Sequence, residues 1–241
     1  MKKYILTLPG CEERAEAVRQ RLADTPFRDA VPYYGYDGRK QSEQTLHALM
    51  DVDFFSRRHH RMPTCGEIGC AVSHRRIWTE AADNNEAITV FEDDILLTRK
   101  ISSAEAHSWG EWLSSDEPRI LLMCDSVIYR PHDVHCLPSG FRIVKPYESQ
   151  GAFAYSINAA AARILTSKPL CDTVADDWPL FQSFGISIYA TCPAAFEAII
   201  EGSLIGFDRL KMNFSFLRRL QLFLADKQRK FLLRSGIWKH L

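Results

Sequence analysis

The segment Val90-Phe91-Glu92-Asp93-Asp94-Ile95-Leu96-Leu97 constrains this chain more than any other. A short apolar run stops at three successive carboxylates and then resumes. Residues 87–91 read as a buried strand that delivers the acids to its end. Side chains alternate along a strand, so Glu92 and Asp94 are expected on one side and Asp93 on the other. Three acids this close raise one another's pKa unless a cation neutralises them. A hard divalent ion carrying substrate phosphates suits such a place, because it takes one or two protein carboxylates and leaves positions for phosphate oxygens.

The flanking sequence alternates strand and helix patterns. Residues 3–8 read as a strand ended by Pro9-Gly10, and a helix follows from Glu12 to Ala23 with Ala15, Val18 and Leu22 on one face. Val31 to Gly38 reads as a strand feeding a turn, and Cys65 to Asp83 as a helix broken by Asn84-Asn85. On that helix Glu67, Cys70, Ala71, His74, Ile77, Trp78 and Ala81 share a face. Further strands are expected at Arg119–Cys124, ending at Asp125, and at Phe153–Ile157, before an alanine-rich helix from Asn158 to Thr166. Such alternation predicts an α/β sandwich with a mostly parallel central sheet. Ligands of these sheets sit at the carboxyl ends of strands, where Glu92–Asp94 and Asp125 fall. Residues 42–62 are polar, then basic (Arg57, Arg58, His59, His60, Arg61), and read as a helix plus an exposed loop.

With 241 residues, 46% of them hydrophobic, the chain can bury a substantial core. Its formal net charge is zero, so no global field draws nucleic acid, and none is expected as a partner. The apolar opening is too short for a signal-peptide core, which predicts a cytoplasmic protein. Seven scattered cysteines read as reduced thiols; Cys65, Cys70 and His74 lack a fourth zinc ligand and read as packing. The charge is unevenly spread. Beyond residue 206, Arg209, Lys211, Arg218, Arg219, Lys227, Arg229, Lys230, Arg234 and Lys239 meet only Asp208 and Asp226, interleaved with leucines and aromatics. The chain therefore divides into a body, 1–206, and a basic amphipathic, helical extension, 207–241. The extension is expected either packed on the core or on an anionic membrane surface at the cytoplasmic face of an inner membrane.

Gly66-Glu67-Ile68-Gly69-Cys70-Ala71-Val72-Ser73-His74, followed by Phe91-Glu92-Asp93-Asp94, resembles the family 25 glycosyltransferases. These include bacterial lipooligosaccharide galactosyltransferases and are related to collagen galactosyltransferases. Glu13-Arg14, Tyr36-Asp37-Gly38, Gly151–Ile157 and Asp176-Asp177-Trp178 fall where the family carries similar stretches. The resemblance implies a GT-A-like fold, a UDP-sugar donor (UDP-galactose first) and a β-linked, β-1,4 in first place, product formed with inversion. It also implies a lipooligosaccharide or lipopolysaccharide acceptor. The short basic segment between Asp51 and Pro63 departs from the family and bears on acceptor choice.

The resemblance and the residues together assign expected roles. Glu92, Asp93 and Asp94 form the metal and diphosphate site, Asp94 the first choice for direct ligand and Glu92 the second, with Mn²⁺ or Mg²⁺ neutralising the departing UDP. An inverting transfer needs a general base, for which Asp176 and Asp177 compete; Asp177, beside Trp178, is preferred. The competing reading makes the pair a helix N-terminal cap before Pro179. Arg14 is the expected cation for the diphosphate. Gly66 and Gly69 fit close backbone approach to phosphate at the helix start. Glu67 and His74 either orient the donor or act structurally, for example by locking the acidic loop. Ser73 and His74, adjacent on a helix, point about 100° apart and make no nucleophile–base pair. A metal-dependent phosphoesterase or nucleotide hydrolase, and a non-catalytic membrane-surface adaptor, remain as alternatives.

Overall fold

A computed structural model describes residues 1–199 and 226–241. The large sheet is built from β1 (Lys2–Thr7), β2 (Val31–Tyr34), β3 (Ile88–Glu92), β5 (Arg119–Leu122), β6 (Val127–Cys136), β7 (Arg142–Ser149), β8 (Ala154–Ile157), β9 (Ser187–Cys192) and β11 (Lys239–His240). β4 (Ile95–Leu97) and β10 (Phe196–Ala198) form a separate antiparallel pair. The nine strands lie in the order β11-β6-β7-β9-β5-β8-β3-β1-β2. Of these, β1, β2, β3, β5, β6 and β9 run one way, and β7, β8 and β11 run the other. The expected α/β sandwich with a mostly parallel sheet is therefore present.

Side-chain alternation builds a core on each face. Ile5, Phe91, Leu121 and Ala154 turn to the side covered by α1 (Glu12–Leu22) and α5 (Ser103–Leu113). Leu6, Val90, Ile120, Leu122 and Tyr155 turn to the side covered by α4 (Cys65–Asp83), α6 (Ala159–Thr166) and α7 (Trp178–Ser183). The two short helices α2 (Glu43–His47) and α3 (Val52–His59) pack outside α4 through Leu46, Met50, Phe55, Ile68 and Val72.

Helix α4 starts where it does because Thr64 and Glu67 form a capping box, each side chain bonding the other's backbone N–H. Glu67 is also buried against Arg61, whose guanidinium grips both carboxylate oxygens at 2.6 and 2.7 Å. Gly69 has a packing reason: a Cβ there would lie 2.6 Å from the Tyr36 carbonyl oxygen and 2.7 Å from Gly38 N. The reciprocal contact makes Gly38 equally restricted, its Cβ falling 2.0 Å from the Cys65 carbonyl oxygen. These two glycines let the Tyr36–Gly38 turn lie against the start of α4. Close approach is right for Gly69, but its neighbour is this turn of the chain.

The basic segment is not a free loop. Arg58 reaches Asp177, His59 reaches Thr173 at 2.9 Å, and Arg61 holds Glu67. At the other end, residues 226–234 are helical, and β11 extends the sheet at the edge of β6. Trp238 is buried and packs tilted against Tyr147 with centroids 4.2 Å apart. Residues 226–241 thus dock on the core, while the expected helix over 207–225 lies outside the described residues. No helix among the described residues is long and apolar enough to cross a membrane.

Candidate active site

A cavity of about 250 Å³ opens where β1 and β3 end, at their carboxyl ends. Its lining includes Thr7, Arg14, Gly66, Glu92, Asp93, Asp94, Gly151, Phe153 and Asp176. Residues as distant in sequence as Thr7 and Asp176 thus meet in one place. Asp125, also at a strand end, is not in this lining.

Strand β3 ends at Glu92, and Asp93-Asp94 form the turn to β4, so strict alternation stops there. The Glu92 amide donates to the Phe153 carbonyl at 2.7 Å, which fixes the end of the strand. Asp93 accepts from the Thr7 hydroxyl at 2.5 Å and pairs with Arg14 Nη2 at 2.7 Å. The same guanidinium lies 3.7 Å from Asp94. Burial pushes the Asp93 carboxyl above its ordinary pKa against the pull of Thr7 and Arg14. Asp94 is driven further, to about 7, by burial first and then by repulsion from Glu92 and Asp93. Its Oδ1 is buried and accepts no hydrogen bond. A desolvated carboxylate with an orphaned oxygen is a hard donor of the kind Mg²⁺ or Mn²⁺ takes, although the ligand atoms of Glu92, Asp93 and Asp94 do not converge on one point as a group of three.

Among the described residues, the three side chains whose ligand atoms do converge, within 4.8 Å of one another, are Cys70 (Sγ), His74 (a ring nitrogen) and Glu92 (a carboxylate oxygen). His74 is fully buried and bonds Glu92 Oε1 through Nε2 at 3.1 Å and the Tyr155 hydroxyl through Nδ1 at 2.8 Å. Glu67, on the same helix, joins Arg61 and the cap of α4. Neither side chain lines the cavity, whereas Gly66 does.

The adjacent acids part company. Asp176 lines the cavity and its Oδ2 accepts from the Gly151 amide at 2.8 Å. Asp177 points the other way, into the protein. It caps α7, pairs with Arg58 through both oxygens and accepts from Thr173 at 2.6 Å. Burial alone would raise its pKa, but the Arg58 and Thr173 hydrogen bonds outweigh it and hold the carboxyl below the ordinary range. A group so held is a poor proton acceptor. The geometry therefore corrects the preference for Asp177 as base and leaves Asp176 facing the cavity. Sequence reasoning missed Thr7, Gly151 and Phe153 as lining residues and Tyr155 and Trp78 behind them; the Gly151–Ile157 stretch was the available signal for three of these.

A family profile described as glycosyltransferase family 25 (LPS biosynthesis protein) matches residues 1–168. Among curated proteins, "Lacto-N-neotetraose biosynthesis glycosyltransferase LgtB" of Neisseria meningitidis is 32% identical over 98 residues, 40% of this chain and 34% of that protein. "Procollagen galactosyltransferase 1-A" of Xenopus laevis is 33% identical over 97 residues, 38% of this chain and 16% of its own length. A "Putative glycosyltransferase" of Haemophilus influenzae is 31% identical over 126 residues, 49% of this chain and 42% of that protein. The matched region thus spans less than half the length of each of these relatives.

Proposed function

The chain belongs to glycosyltransferase family 25, and from that premise we propose that it transfers galactose from UDP-galactose to a saccharide acceptor with inversion. The observation that carries this reading is the convergence of Arg14, Glu92–Asp94 and Asp176 on one cavity. A lipooligosaccharide or lipopolysaccharide acceptor fits the family description, and the galactose donor fits the name of the Xenopus relative.

In this mechanism the acceptor hydroxyl gives its proton to Asp176 as its oxygen attacks the anomeric carbon of the sugar. The bond to the diphosphate breaks on the opposite face, and UDP leaves with the electron pair. A single displacement of this kind inverts the anomeric centre. Arg14, already against Asp93, supplies fixed positive charge beside the leaving diphosphate. Asp94, with Glu92, would hold Mn²⁺ or Mg²⁺, which when bound supplies Lewis-acid neutralisation of the two phosphates.

Isothermal titration of UDP into the protein, with Mn²⁺ and then with EDTA, tests the donor site. Binding is expected with Mn²⁺ and a large loss with EDTA, followed by transfer from UDP-galactose in a product assay. No UDP binding under either condition overturns the nucleotide-sugar reading; UDP-galactose hydrolysis without transfer to saccharide favours a hydrolase.

The basic extension supports contact with an anionic membrane. Residues 226–234 present Phe231, 66% exposed, with Lys230 and Arg234 beside it, and Ile237 follows at 51%. Burying one such aromatic contributes about 1.5–3 kcal/mol, so Phe231→Ser is expected to weaken binding to anionic vesicles roughly tenfold. Co-sedimentation measures it; equal binding by both proteins, or none by either, counts against membrane contact through this helix.

A further inference from the structure

Behind Glu92 lies a run of buried polar groups that the transfer itself does not use. Trp78 and His74 sit one turn apart on α4, and both reach the hydroxyl of Tyr155 on β8 at 2.8 Å. All three side chains are buried. Their chemistry orients the hydrogen bonds. An indole N–H only donates, so the Tyr155 oxygen accepts from Trp78. The hydroxyl then has one proton to give, and an imidazole nitrogen is a stronger acceptor than the thiol of Cys70 nearby. His74 Nδ1 accepts it. The ring proton consequently resides on Nε2, 3.1 Å from Glu92 Oε1.

We propose that Trp78 and Tyr155 are positioning residues for the acidic turn: they fix His74 as the Nε2–H tautomer, whose N–H clamps the Glu92 carboxylate at the rim of the cavity. The chain of donors runs one way, from indole to phenol to imidazole to carboxylate. It occupies Glu92 Oε1 and sets the rotamer of the whole carboxylate. It also decides what the Cys70, His74 and Glu92 cluster does, since a proton on Nε2 directed at Glu92 excludes a metal on that nitrogen. Outer hydrogen bonds of this type orient the groups that hold a cation. Their effect on the donor site rests on the glycosyltransferase reading; the tautomer does not.

Nitrogen-15 NMR of the full chain, labelled at histidine, is expected to show His74 protonated on Nε2 and bare at Nδ1. The Nδ1–H form would overturn the proposal. So would a thiolate-to-cobalt charge-transfer band in wild-type protein given Co²⁺, if Cys70→Ser removes it. Three variants test the clamp. Tyr155→Phe and His74→Leu are expected to weaken Mn²⁺-dependent UDP binding roughly tenfold and leave metal-free UDP affinity unchanged. His74→Gln places an amide N–H where Nε2–H stood, so affinity should stay within about threefold of wild type. Equal losses in His74→Gln and His74→Leu would mean that the ring merely fills space, and the clamp would be wrong. If Tyr155→Phe does not fold, the wild-type spectrum and the His74 pair still decide. If wild-type protein binds no UDP, the donor-site reading fails, while the NMR result stands or falls alone.

Discussion

Asp94→Asn is expected to abolish metal-dependent UDP binding, to cut sugar transfer by on the order of 10³, and to make the metal-free protein more stable. The two effects have one cause. Asp94 is buried beside Glu92 and Asp93, with one oxygen that meets no donor. Ionising it without a cation is costly, which is why its carboxyl titrates at about 7 and not near 3.8. The sign follows from proton counting. Between those two values the folded state binds the proton and the unfolded state has lost it, so stability falls as pH rises through this window. Above about 7 the loss is complete, and below the unfolded value it vanishes. Asparagine keeps the shape and removes the charge. Denaturant unfolding in EDTA should therefore show variant and wild type together near pH 4, a gap that widens towards pH 7, and a plateau beyond. The plateau is of the order of a few kcal/mol, since each unit of pKa corresponds to about 1.4 kcal/mol. A wild type as stable as Asp94→Asn at pH 8 would sink the argument that this carboxylate is held at a cost for cation binding.

The parts of the molecule legible in sequence are those governed by local rules. β1, α1, α4 and β3 are readable because apolar period and breakers such as Pro9-Gly10 and Asn84-Asn85 act within a few residues. The acidic turn is readable because three carboxylates at the end of an apolar strand repel one another and require a counter-charge. The β6–β7 hairpin is not: its pairing shifts register twice, and β6 carries Arg130, His132 and Asp133 in succession around Pro131 in place of a clean alternation. Nor could periodicity show that Arg58, His59 and Arg61 would turn inward, because their partners lie at Asp177, Thr173 and Glu67. A run of basic residues looks solvated until the fold supplies a buried acid. Tyr155 presents the same difficulty in another form. An apolar strand position predicts burial, but the hydroxyl's partners on α4 are 77 and 81 residues away.

Asp176 and Asp177 show how much a single residue step decides. The two should separate cleanly when each is changed to asparagine. Asp177→Asn leaves the Arg58 guanidinium part-buried opposite a neutral amide and removes an acceptor for Thr173. Breaking one side of such a pair typically costs about 3–5 kcal/mol, here reduced by the partial exposure of Arg58, so a loss of about 2–4 kcal/mol is expected. Thermal unfolding should record it, with kcat of the folded fraction within a few-fold of wild type. Asp176→Asn still offers an oxygen to the Gly151 amide and keeps the shape of the side chain. Its stability should change by less than about 1 kcal/mol, while kcat falls by about 10²–10⁴, the range for a lost general base. UDP affinity should be unchanged, because proton transfer from the acceptor plays no part in binding the donor. The opposite pattern, an inactive but stable Asp177→Asn beside an active Asp176→Asn, would place the base on the inward-facing residue and require α7 to unwind before the acceptor binds. The part-buried Arg58 pair makes that movement costly, which is the physical reason to propose Asp176 over Asp177 as the base.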